Sequence, residues 1–229
     1  MISWVFFDLG GTLLDDSGLV DAITRTYVEL LNARGYRVSL EEFVAVRDVV
    51  IVRQERPLFR AAAATFTRDS AVVDEIWREV QPRIVGAEVS GQRAFPESAE
   101  VLESVSRHAG LGVIANQYRT VRDVLRRDGL DGFFRVVQIS EEAGVSKPDP
   151  AIFERALRDA GCKPQEAVMV GDRIDFDVEP ARALGFHTVR VRQGVFRNQA
   201  PLAANQRPDI EVASLREVPH ALERLTRTE

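Results

Sequence analysis

The stretch WVFFDLGGTLLDD, residues 4–16, decides how the rest of the chain is read. An apolar run ends in Asp8, two glycines follow at Gly10 and Gly11, and then comes Thr12. A short apolar run closed by turn-forming residues is the pattern of a strand buried on both faces, as in a parallel sheet. In open sheets of that kind, ligands gather beyond the carboxyl ends of the strands, where Asp8 falls. An acid at a strand end also serves as a simple turn former or helix cap, so Asp8 needs company before it means chemistry.

The same pattern recurs further along. LGVIANQ (111–117) and EAVMVGD (166–172) read as buried strands, and RVVQIS (135–140) and HTVRVR (187–192) read as two more. Helical periodicity covers 97–109, 120–128, 149–160 and 177–184, with Ser98 as a candidate cap, Pro148 before Asp149 as a start signal, and Gly161 and Gly185 as stops. Strand alternating with helix predicts an α/β fold with a Rossmann-like, doubly wound parallel sheet. Residues 15–91 break the alternation. They carry helical periodicity in LVDAITRTYVELLNARG and SAVVDEIWREVQPRIVG and little strand signal. The expected organisation is therefore a core domain built from 1–14 and 92–229, with a helical cap inserted at 15–91. The stretch from Asn198 reads as a polar loop, a short strand and a final amphipathic helix.

Composition narrows the class. The chain has 229 residues, 45% hydrophobic and 28% charged, with a formal net charge of −5, which implies no general affinity for nucleic acid. The single cysteine, Cys162, excludes an internal disulfide framework and suits a reducing compartment. No apolar run approaches the ~20 residues of a membrane span, and the N-terminus has no basic region leading into an apolar stretch. A cytoplasmic protein, monomer or homodimer, with no nucleic-acid or membrane partner is expected.

Strand-end residues define the candidate chemistry. Asp8, Asn116 and Asp172 each close an apolar run, Lys147 lies in GVSKPDP, and Asp175 and Asp177 follow Asp172 in GDRIDFD. Several carboxylates on separate loops of one edge suit Mg²⁺, a hard cation that takes one or two carboxylates together with water and phosphate oxygens. Lys147 supplies the positive charge a phosphate needs. Taken singly, GDRIDFD also reads as a loop in which Asp177 caps a helix, and Gly10 and Gly11 as residues that serve only a turn.

In order, DLGGTL, VIAN, SKPDPAIFERAL and VMVGDRIDFDVEPARALGF resemble the motifs of the haloacid dehalogenase-like hydrolases, within the branch that carries a helical cap after the first strand. The resemblance covers nearly the whole chain. It implies that Asp8 is a nucleophile forming an aspartyl-phosphate, that Lys147 steadies nucleophile and phosphate, and that Mg²⁺ is held by Asp8, the backbone oxygen of Gly10, Asp172 and Asp177. It places Gly10, Gly11, Ala115, Asn116 and Lys147 around the phosphate of a small phosphorylated molecule.

Two positions depart from that pattern. The family's second acid, which protonates the leaving oxygen and later activates water, is Gly10 here, and the Ser or Thr that binds the phosphoryl group is Ala115. Loss of a general acid/base typically costs ~10²–10⁴ in rate. The expected function is a Mg²⁺-dependent phosphatase with altered or weak activity. The alternative is an impaired relative that binds Mg²⁺ and a phosphorylated ligand in a regulatory role. A dehalogenase-type reaction ranks third, because such relatives dispense with Mg²⁺ and the acidic GDRIDFD loop argues against them.

In the expected cap, Arg53, Arg56 and Arg60 are spaced three and four apart and are predicted to share a helix face, with Pro57 as the possible interruption. Arg53 and Arg56 are the candidate substrate-binding residues, and a solvated helix face is the plain alternative. Gln117, Tyr118 and Arg119 are placed near the pocket mouth. His108, His187 and His220 lack metal-ligand spacing and read as structural. No Gly-x-Gly-x-x-Gly loop, P-loop or Gly-x-Ser-x-Gly elbow is present.

Overall fold

The computed structural model describes residues 1–227, apart from the side chains at 86, 88 and 227. The elements run β1 (Trp4–Phe7), β2 (Leu14–Asp15), α1 (Ser17–Ala33), α2 (Leu40–Val52), α3 (Leu58–Phe66), α4 (Ser70–Gly91), β3 (Arg93–Ala94), α5 (Ser98–Ser106) and β4 (Gly110–Ala115). They continue with α6 (Val121–Arg127), β5 (Val136–Ile139), α7 (Ser140–Ala143), α8 (Pro150–Ala160), β6 (Ala167–Gly171), α9 (Glu179–Leu184), β7 (His187–Val191), β8 (Ile210–Val212) and α10 (Val218–Arg227).

Six strands form one sheet in the order β5-β4-β1-β6-β7-β8, every neighbouring pair parallel. β1 is central: Phe7 is level with Val113 of β4 and Val170 of β6. The chain builds outward from β1 through β4 to β5, then returns to the other side of β1 to lay down β6, β7 and β8. The strand order therefore reverses between β1 and β6, and the crevice at such a reversal is where open α/β sheets place their ligands. The Asp8 and Asp172 loops leave the two strands that flank it.

The sheet is doubly covered, which explains why its strands read as uninterrupted apolar runs. Phe6, Ile114 and Met169 on three adjacent strands pack with Ile152, Phe153, Ala156 and Phe186 on one face. The rings of Phe6 and Phe153 meet Phe186 edge-on at 6.1 and 5.9 Å. Gly112 is required there, since a Cβ at that position would lie 2.5 Å from the Phe6 ring.

The chain divides into two compact units, Met1–Asp15 with Arg93–Glu229, and Asp16–Gln92. The second unit is four helices, α1 to α4, around Leu19, Ile23, Tyr27, Leu31, Phe43 and Ile76. In the first unit, β2 and β3 pair antiparallel, Leu14 with Ala94 and Asp15 with Arg93.

Several local expectations are sharpened or corrected. Strand β1 ends at Phe7, one residue short of Asp8, and the Leu9 carbonyl accepts the amides of Thr12, Leu13 and Leu14, drawing residues 9–14 into a tight turn. Asp149 caps α8, its side chain accepting from the Ala151 amide at 2.9 Å, and Gly161 and Gly185 end α8 and α9 with φ of +65° and +93°. Ser98 is not a cap. It is the first residue inside α5, and its buried hydroxyl donates to the Leu13 carbonyl at 2.7 Å, tying α5 to the turn after Asp8. The helix expected at 177–184 is α9 over Glu179–Leu184 only, and a wide π turn, Ile174–Val178, precedes it.

Candidate active site

Four predicted residues meet at the carboxyl edge of the sheet. Asp8 follows β1, its amide donating to the Val170 carbonyl of β6 at 2.9 Å. Asp172 follows β6, Asp177 projects from the π turn beyond it, and Lys147 arrives from the loop before α8. All four are buried, Asp172 and Asp177 completely. Lys147 Nζ lies 2.8 Å from Asp8 Oδ1 and 2.6 Å from Asp177 Oδ1. One oxygen from each of Asp8, Asp172 and Asp177 lies within 4.8 Å of the other two.

The charges do not balance among these four groups, since three carboxylates face one ammonium. Buried charge is costly, and two of the four groups are shifted by it. Burial pushes the Asp177 carboxyl up to about 6, a rise that Lys147 opposes and Asp8 reinforces. Burial alone would pull the Lys147 ammonium down, but Asp177 and Asp8 more than reverse it and hold its pKa above the usual value. A divalent cation among the three carboxylates would offset their charge.

The residues fit such a cation. The donor set is all oxygen, as Mg²⁺ prefers, and glycines keep space around it. Gly11 has φ of +71°, and a Cβ there would lie 2.3 Å from Asp172 Oδ2. A Cβ at Gly171 would lie 2.3 Å from Asp177 Oδ2. Glycine is thus required beside two of the three acids, and at Gly11 the backbone conformation demands it as well.

Asn116 is engaged by the main chain of Lys147. Its Nδ2 donates to the Lys147 carbonyl at 2.8 Å and its Oδ1 accepts the Lys147 amide at 2.7 Å. Ala115 is the fully buried last residue of β4, and its methyl group offers no hydrogen bond. Asp175, which lies between two cluster acids in sequence, turns away: its carboxylate accepts from Arg173 at 3.2 and 2.7 Å and from Gln199 at 2.9 Å. Arg119 pairs with Glu141 at 2.9 Å.

Arg53, Arg56 and Arg60 do not share a helix face. α2 ends at Val52, Arg53 and Arg56 fall in the turn that follows, and Pro57 opens α3, which carries Arg60. Arg53 lies 3.7 Å from Glu55, and Arg60 pairs with Asp74 inside the helical unit. The three-and-four spacing fails because proline cannot continue a helix through the preceding residues.

Sequence reasoning passed over three side chains behind the site. Arg190 on β7 is fully buried, its Nε donating to the Asp172 carbonyl at 3.3 Å and its Nη1 to Glu211 at 2.9 Å. Burial lowers its pKa, with Glu211 opposing. Gln193 and Gln199 lie in the loop after β7. The usable signal was an arginine at an inward position of HTVRVR, since a buried guanidinium needs carbonyl and carboxylate partners.

Comparison with known proteins gives a consistent picture. The family model for haloacid dehalogenase-like hydrolases matches residues 2–185. The chain is 31% identical over 95% of its length to a glyceraldehyde 3-phosphate phosphatase of Methanopyrus kandleri, covering 96% of that protein. It is 40% identical over 86% of its length to a phosphoserine phosphatase of Thermus thermophilus, covering 75% of it. Among solved structures, a haloacid dehalogenase-like hydrolase of Streptococcus pneumoniae superposes with a TM-score of 0.76 at 22% identity, over 96% of this chain and 98% of that one.

Proposed function

The chain belongs to the haloacid dehalogenase-like hydrolases, and from that premise we propose that it is a Mg²⁺-dependent phosphatase acting on a small phosphorylated metabolite through Asp8. The observation that carries this reading is the Lys147 ammonium held between Asp8 and Asp177 at 2.8 and 2.6 Å in a buried site that also contains Asp172. The names of the relatives support the substrate class, since glyceraldehyde 3-phosphate and phosphoserine are both small phosphorylated molecules.

Each residue has a role in this proposal. Asp8, Asp172 and the Gly10 carbonyl hold Mg²⁺, with Asp177 supporting it; the ion, when bound, supplies positive charge that offsets the carboxylates and the phosphoryl oxygens. Lys147, 2.8 Å from Asp8 Oδ1, steadies Asp8 and draws in the phosphate. An Asp8 carboxylate oxygen attacks phosphorus, the bond from phosphorus to the leaving oxygen breaks, and an aspartyl-phosphate forms that water later hydrolyses. Gly10 provides no proton for the leaving oxygen and no base for that water, and Ala115 provides no hydrogen bond to the phosphoryl group. Turnover is therefore weak with alkyl phosphates and best with substrates whose leaving group departs without protonation, such as acyl phosphates. The protein works in the cytoplasm as a monomer or homodimer.

A second reading rests on the same two residues. Gly10 takes away the group that moves the proton and Ala115 one hydrogen bond to the phosphoryl group, while Asp8, Lys147, Asp172 and Asp177 are kept, which suits a protein that binds a phosphorylated ligand without turning it over. Hydrolysis of acetyl phosphate and p-nitrophenyl phosphate, with Mg²⁺ and with EDTA, separates the two. The phosphatase reading expects Mg²⁺-dependent release, faster from acetyl phosphate, and none from Asp8→Asn. A silent natural protein alongside an active Gly10→Asp/Ala115→Thr variant supports the binding reading instead.

A further inference from the structure

The geometry points to Gln199 and Gln193, in the loop that follows β7, as positioning residues that set the affinity of the divalent-cation site. This inference rests on the reading above that Asp8, Asp172 and Asp177 hold such a cation.

The segment GDRIDFD carries three acids, yet only Asp172 and Asp177 face the cluster. Gln199 takes part in that sorting. It is buried, with 3% of its surface exposed, and both ends of its amide are engaged. Oε1 accepts the Ile174 amide at 2.7 Å, at the start of the π turn, and Nε2 donates to Asp175 Oδ1 at 2.9 Å. The two bonds fix where the turn begins and hold Asp175 outside the cluster. From the same turn, Asp177 Oδ2 accepts the Arg173 amide at 2.9 Å, which sets the direction of its carboxylate.

The rest of the loop grips the neighbouring segments. The Phe196 ring covers the Arg173 guanidinium at 4.2 Å, with Phe176 on it at 3.6 Å. The Phe196 carbonyl accepts from Arg190 Nη2 at 3.1 Å, and Arg190 Nε reaches the Asp172 carbonyl. At the other end, Gln193 Nε2 donates to the Thr12 carbonyl at 2.8 Å while its Oε1 accepts the Leu215 amide at 3.2 Å. Gly194 packs so closely that a Cβ there would stand 3.1 Å from Gly11 Cα and 3.7 Å from Asp172 Oδ2. One loop thus binds the segment carrying Asp8 and the segment carrying Asp172 and Asp177, and keeps their carboxylates at a fixed separation. Partners that orient metal ligands in this way are typically worth about 10–100-fold in affinity.

Isothermal titration calorimetry with MgCl₂ on the natural chain, Gln199→Leu and Gln193→Met, together with the melting temperature of each metal-free protein, tests this. Gln199→Leu is expected to raise the Mg²⁺ Kd about 10–100-fold, and Gln193→Met to raise it by a smaller factor with little change in the metal-free melting temperature. Because Gln193 is only half-buried, its variant decides the matter if Gln199→Leu does not fold. A natural chain that binds Mg²⁺ and folded variants whose Kd is unchanged, whatever their melting temperature, overturn the positioning role alone. A natural chain that shows no Mg²⁺ binding overturns the cation site and this inference with it.

Discussion

The side-chain amide of Asn116 pairs with the main chain of Lys147 on both sides, donating to its carbonyl at 2.8 Å and accepting its amide at 2.7 Å. The end of β4 is thereby latched to the loop that delivers an ammonium to the acidic cluster. Lys147 has few conformers left once its backbone is held and its Nζ lies between two carboxylates. Asn116→Ala is expected to lower kcat by about 10²-fold, the typical consequence of a reacting group displaced by about 1 Å. Because the latch acts on position and not on the proton, the pH profile of the remaining activity is expected to keep its shape. Steady-state kinetics across pH checks both statements.

Gly11 is expected to tolerate no side chain. Its φ of +71° and the 2.3 Å that would separate an added Cβ from Asp172 Oδ2 act together. Gly11→Ala is expected to destabilise the fold by about 1–3 kcal/mol and to weaken Mg²⁺ binding, read by denaturant unfolding and by titration calorimetry.

Mg²⁺ itself is expected to stabilise the protein. At a concentration 100 times its Kd, a ligand of the native state adds about 2.7 kcal/mol. Thermal unfolding in Mg²⁺ and in EDTA is expected to differ for the natural chain, and the difference is expected to shrink in Asp172→Asn.

Asp128 links the return of the chain from the helical unit to the end of α6. Its Oδ2 accepts the Ala94 amide at 2.7 Å, and Arg127 pairs with it at 2.6 Å. The Arg127 hydrogen bond, opposed by burial and helped by the Ala94 amide, holds its carboxyl below the ordinary value of 3.8. A depressed carboxylate pKa gives stability that is present above the unfolded value and lost as pH falls through the folded one. Asp128→Asn is expected to be less stable than the natural protein at pH 7 by about 1–2 kcal/mol, with the gap closing below about pH 4. Urea unfolding at the two pH values measures it.

The four residues of the cluster were legible in the sequence for a physical reason. Asp8 and Asp172 close apolar runs, and parallel strands present such positions to one edge. Lys147 and Asp177 lie in short loops punctuated by Pro148, Asp149 and Gly171. Asn116 was visible as a residue but not as a latch, because the direction of a side chain after a strand depends on the loop it meets. Spacing alone does not tell Asp175 from Asp172 and Asp177; what holds it outside the cluster is Arg173 and Gln199. The shared helix face expected of Arg53, Arg56 and Arg60 failed at Pro57, where a new helix starts. Gln193 and Gln199 were hidden in a polar loop because their partners are mostly main-chain groups, which carry no sequence signature.

Restoring the family's two missing groups is expected to raise turnover of unactivated substrates. Gly10→Asp with Ala115→Thr is expected to increase the rate on alkyl phosphates by ~10²–10⁴, with a far smaller gain on acetyl phosphate, since only the former needs its leaving oxygen protonated. Parallel assays on the two substrates give that ratio.

The central claim is that Asp8 takes the phosphoryl group. Acid-quenched mixtures of the protein with acetyl phosphate and Mg²⁺, read by intact-protein mass spectrometry, test it most directly. The natural chain is expected to carry the added mass of one phosphoryl group, labile to base and absent both in EDTA and in Asp8→Asn. Phosphorylation that persists in Asp8→Asn, or hydrolysis by the natural chain with no covalent species in rapid-quench samples, would contradict the account.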